Sequence, residues 1–88
     1  MSTLSFTSTE RRLQLFTLLR ANGFKVRRHS YQYFIRGRKF VCVLILHPLW
    51  HTATLHRIKW NIYESTRAIR EIMRLVKSLD PGLTVEIV

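Results

Sequence analysis

The chain has 88 residues, 47% of them apolar, and 15 Lys and Arg against 5 Asp and Glu, for a formal charge of +10. That length supports one domain, residues 1–88, with a single core and no deep cleft, and that apolar fraction excludes a disordered tail. The lone cysteine, Cys42, excludes an internal disulfide, and no apolar run approaches the roughly 20 residues that span a membrane.

Residues 1–7 read as a flexible leader. Thr7, Ser8 and Thr9 are alternative N-caps for a first helix reaching about Ala21, with Leu15, Leu18 and Leu19 on its apolar stripe. Asn22-Gly23 stops it, because both residues tolerate the left-handed conformation. Residues 24–28 alternate Phe24 and Val26 with Lys25 and Arg27, as a half-buried strand does. Residues 31–35 alternate again, with Tyr31, Tyr33 and Ile35 on one face and Gln32 and Phe34 on the other. Gly37 in Arg36-Gly37-Arg38 marks a tight turn, and residues 39–46 are apolar on both faces, as suits a central strand.

Pro48 breaks the pattern, and residues 52–60 form another strand. Asn61 or Ser65 caps a second helix ending near Leu79, where Asp80-Pro81-Gly82 stops it. Leu83, Val85 and Ile87 alternate in a last short strand, which could pair across a homodimer if it lies at an edge. The expected fold is α+β, in the order α-β-β-β-(β)-α-β. It is an antiparallel sheet of three to five strands with two helices packed on one face.

Net charge says nothing of fold but speaks to partners. On the second helix Ile69, Ile72, Met73, Val76 and Leu79 fall at core spacing, while Arg67, Arg70, Arg74 and Lys77 make a basic stripe. Further cations sit at the hairpin tip (Arg36, Arg38, Lys39), on the first strand (Lys25, Arg27, Arg28) and on the first helix (Arg11, Arg12, Arg20), with Arg36, Arg38, Lys39, Arg27 and Arg28 the candidates for contact. Arginine's planar fork pairs with phosphate and stacks on bases, so its excess over lysine favours nucleic acid, DNA or RNA, as partner. Tyr31, Tyr33 and Phe34 lie between the basic clusters, and Trp50 and Trp60 lie near His51 and Arg57, where aromatics on a sheet could stack on bases. An acidic protein surface, met by a viral or mobile-element interaction module, is an alternative partner.

Cys42, His47, His51 and His56 have metal-ligating side chains, but their spacing matches no standard zinc finger. The acids form no close pair and the glycines no phosphate loop. No metal, cofactor or catalytic set is therefore expected from the residues alone. A single cysteine in an apolar run and the lack of a secretory pattern suit a reducing, cytoplasmic or otherwise intracellular setting.

Residues 19–24 (Leu-Arg-Ala-Asn-Gly-Phe), Arg27-Arg28-His29-Ser30, Gly37-Arg38 and His47-Pro48 together resemble the HicA toxin family over about half the chain. The resemblance implies a double-stranded-RNA-binding-like α-β-β-β-α fold and cleavage of messenger RNA, with His29 as the acid–base residue. Here the family's Gly-Ser before the histidine is absent, and Ser30 follows it instead.

Overall fold

The computed structural model describes residues 5–38, 40–60 and 62–88. Ser8 is the hydroxyl residue that caps helix α1 (Thr9–Ala21): its Oγ accepts the Arg11 amide hydrogen at 3.3 Å. That satisfies one of the N–H groups a helix leaves open at its start. At the other end Gly23 takes φ +94, and the N–H groups of Asn22, Gly23 and Phe24 return to carbonyls of the last turn.

Strands β1 (Lys25–His29), β2 (Gln32–Arg36), β3 (Phe40–His47) and β4 (Thr52–Trp60) follow, then helix α2 (Ile62–Leu79) and strand β5 (Thr84–Ile87). The strands form one sheet in the order β1-β2-β3-β4-β5, so β3 is central. The protein is α+β in the expected element order. The first three pairings are antiparallel, but β5 runs parallel to β4. Helix α2 causes this: it carries the chain back along β4, so the next strand starts from the same end.

Directly paired residues share a face of the sheet. Tyr33, Leu44 and Leu55 stand in one row and Ile35 and Cys42 in the next, and none of these is more than 2% exposed. Leu15 and Leu19 of α1 and Ile69, Ile72 and Val76 of α2 belong to the same cluster. Both helices therefore cover one side of the sheet. Burial of each such aliphatic side chain contributes about 1.5–3 kcal/mol. The Tyr33 hydroxyl meets its need for a partner under α1, donating to the Arg12 carbonyl at 2.7 Å. Burial pushes this phenol up to about 12, against the partial opposing effect of the Arg28 and Arg12 charges.

Two sequence-based expectations are corrected. Residues 5–7 are not a loose leader: Ser5–Thr7 forms a 3-10 turn that places Phe6, 1% exposed, in the core. Burial of the Phe6 ring offsets part of the entropy lost in ordering this segment. Arg12 fastens the turn, with Nη1 donating to the Phe6 carbonyl at 2.7 Å and Nη2 to Thr9 Oγ1 at 3.0 Å. Ser65 is not a cap; it lies within α2 and is buried. Residues 1–4, Lys39 and Asn61, the other cap candidate, lie outside the described residues.

Candidate nucleic-acid interface

The side of the sheet away from the helices is set by alternation. Val26 and Arg28 of β1 pair with the buried Ile35 and Tyr33, so Lys25, Arg27 and His29 take the opposite side. There, Lys25, Arg36 and Val41 make one row across β1, β2 and β3. The next row runs Arg27, Phe34, Val43 and His56, and the next His29, Gln32, Ile45 and Thr54. No helix among the described residues packs on these rows.

This open face combines an apolar floor with cations. Val43 is 9% exposed and lies flush with the sheet, whereas Phe34 is 42% exposed and stands in the middle of the patch. Lys25, Arg27 and Arg36 are exposed around it. They line, with Phe34 and Val41, a shallow hollow of about 440 Å³. Strands β1 to β4 contain no acidic residue, so nothing on them offsets this charge. Glu86 of β5, paired with Thr54, shares this side of the sheet but lies at its far edge, on the strand most distant from β1.

The other predicted cations are elsewhere. Arg67, Arg70, Arg74 and Lys77 are exposed on the side of α2 opposite the buried Ile72, Leu75 and Val76. The helix stripe and the sheet patch thus face opposite ways, with the core between them. Arg74 is also engaged: its guanidinium forks onto Glu71, with Nε donating to Oε1 at 3.1 Å. That hydrogen bond is the main cause holding Glu71 below the usual carboxylate range and raising Arg74. Arg28 is half-buried on the helix side of β1, and its Nη1 donates to the Ser30 carbonyl at 3.3 Å. Arg38 is exposed just past β2, and Lys39 lies outside the described residues.

Of the five aromatics considered for stacking, Phe34 stands on the open face, Trp50, 79% exposed, lies in the short turn before β4, and the Trp60 side chain is outside those described. Tyr33 is fully buried, and the guanidinium of Arg12 covers the Tyr31 ring at 4.5 Å. His29 is exposed at the end of β1, and no side-chain hydrogen bond of its imidazole is found among the described residues. The turn that follows it is tight: the positive φ falls on Ser30, at 58°, and not on Tyr31, the pattern of a type II′ turn.

The cysteine and histidines do not converge. Cys42 faces the helices, and burial pushes its thiol up to about 12. His56 faces the open side, His47 Nε2 lies 3.1 Å from Thr54 Oγ1, and His51 bonds to Asp80. No group of metal-ligating side chains is gathered among the described residues, and none of the helices there is long and apolar enough to cross a membrane.

Sequence reasoning identified Arg27 and Arg36 and counted Lys25 among the first strand's basic groups without choosing it as a site residue, and it passed over the supporting Val41 and Val43. The signal was present: the alternation that buries Val26 puts Lys25 beside Arg27 on one face. No protein-family model matches the chain, and neither does any curated protein or solved structure.

Proposed function

We propose that the protein binds single-stranded nucleic acid across the open face of its sheet. The observation that carries this reading is Phe34: an aromatic ring, 42% exposed, flanked by Lys25, Arg27 and Arg36 on a face that no helix among the described residues covers. An exposed ring flanked by cations and by no acid on its own or the neighbouring strands is the arrangement of a stacking platform for a base between phosphates. An unpaired base supplies a π-face for Phe34, and its flanking phosphates supply charge for the cations. Stacking of this kind contributes about 1–3 kcal/mol per base.

A second copy of the chain is a poor cover, because it would bring like charges together. A duplex also fits less well, since its bases are already stacked on one another and present no free face to Phe34. The stripe on α2 adds to long-range attraction but lies on the far side from the stacking site. Three phosphates neutralised on a single strand give a log–log salt slope of about −2.

The test is anisotropy of labelled single- and double-stranded oligonucleotides at low salt. Single strands should bind more tightly, and Phe34→Ala should weaken them about tenfold. Absence of binding to every form would sink the proposal.

A second reading, a HicA-like ribonuclease, is favoured by the position of His29. It is exposed on the same face as Arg27, two residues away, where a bound RNA would meet it. Cleavage of RNA by the purified protein, abolished by His29→Ala with folding intact, supports that reading; intact RNA after long incubation removes it.

A further inference from the structure

The edge of β1 offers a second site of different chemistry. Leu46 N–H bonds to Tyr31 O, and Gly37 N–H to Phe40 O, which fixes the odd-numbered residues of β2 as those bonded to β3. The even-numbered residues then bond to β1, through Lys25, Arg27 and His29. The backbone N–H and C=O groups of Val26 and Arg28 consequently point outward from the sheet. No partner for either N–H is found among the described residues.

A groove of about 830 Å³ runs along this edge. One wall belongs to the helix side: the apolar Leu13, Phe16 and Val26, with Leu13 44% exposed, and beside them the half-buried Arg28, whose guanidinium donates to the Ser30 carbonyl. The other wall belongs to the open side and includes Arg27, His29 and Phe34. No proline or bulge blocks the edge; positive charge is its only guard against pairing with another copy. That guard repels a second β1 and attracts an acidic strand.

We propose that β1 takes an extended acidic peptide as a sixth strand of the sheet. Alternate side chains of an added strand point to opposite faces, so the partner is amphipathic. Its apolar residues lie against Leu13, Phe16 and Val26, and its acidic residues against Lys25, Arg27 and His29. A sugar–phosphate chain does not substitute, because it has no N–H donors at strand spacing to meet the carbonyls of Val26 and Arg28. This proposal does not depend on binding at the open face.

The probe is a labelled, end-blocked eight-residue peptide of alternating valine and glutamate, titrated into the whole protein at low salt. Saturable binding is expected, together with slowed hydrogen exchange at the Val26 and Arg28 amides. The same peptide N-methylated at alternate residues keeps its charge but loses its donors, and should bind at least tenfold more weakly. Val26→Pro removes one outward N–H at the kind of edge position where proline is tolerated, and should weaken the peptide similarly while leaving oligonucleotide binding unchanged. Leu13→Glu, on the exposed face of α1, places a repelling charge in the apolar wall and provides a variant independent of the strand. It too should weaken binding tenfold. No binding by the alternating peptide, or equal binding by its N-methylated form or by a peptide with the same residues in two blocks, overturns the proposal. These peptide results stand apart from the oligonucleotide results, so either reading can fail alone.

Discussion

His51 Nε2 stands 3.0 Å from both carboxylate oxygens of Asp80, joining the turn before β4 to the turn before β5. Asp80 is 4% exposed, so this imidazole supplies the bond that keeps its carboxylate from being stranded in the core. The His51 carbonyl accepts the Thr84 N–H at 3.2 Å, which seats β5 beside β4. His51→Ala should therefore cost about 2–3 kcal/mol, read by urea denaturation. Asp80→Asn keeps a partner for the ring and should cost less. Equal stability of His51→Ala and the parent would show that the contact does not hold β5.

Alkaline pH should unfold the protein through two buried groups. Tyr33 rises from 10.0 to about 12 and Cys42 from 9.0 to about 12, both chiefly because burial penalises the ionised form. A raised folded-state value means stability that is fully present below the unfolded value and lost above it. These two groups should thus add no pH dependence up to about pH 9 and should remove stability from there toward pH 12. Tyr33→Phe should remove the part that begins near pH 10, at a cost of about 1 kcal/mol at neutral pH from the lost bond to Arg12. Cys42 should stay unreactive to thiol reagents until denaturant is added. Rapid labelling of the native protein would contradict its placement.

The β2–β3 turn depends on a missing side chain. A Cβ at Gly37 would run into the ring of Phe40, which is 6% exposed and makes an edge-to-face contact with Phe24 at 6.0 Å. Gly37→Ala should displace that ring and cost about 1–3 kcal/mol by thermal or urea unfolding. Retained stability would mean that the turn relaxes without disturbing Phe40.

Much of this architecture is legible in local alternation. Residues 52–60 read as a strand and form one, because Ala53 and Leu55 recur at the strand period. The same logic separates Tyr33 and Ile35 from Phe34. Three features were not legible, each for a non-local reason. Phe6 is buried by contacts from distant parts of the chain, which no pattern within a seven-residue segment records. The direction of β5 follows from the length of α2 and the site where β5 docks. The separation of the α2 stripe from Lys25, Arg27 and Arg36 appears only once both helices are known to cover the same side. Spacing along the chain showed each cluster but not that they face apart.

That separation makes the contribution of α2 testable by itself. Glu71→Gln should free the Arg74 guanidinium without touching the sheet. Oligonucleotide affinity should change less than twofold, and only through general attraction. A large gain would place the contact on the helix instead.

The central claim is tested most directly by salt-titrated binding of a labelled single-stranded oligonucleotide to two triple variants of equal net charge. Lys25, Arg27 and Arg36 are replaced by glutamine in one, and Arg67, Arg70 and Lys77 in the other. Loss of the sheet cations should flatten the salt slope by about 2 and abolish most binding, whereas loss of the helix cations should leave the slope nearly intact. The reverse ranking, or equal losses in both variants, would contradict binding at the open face of the sheet.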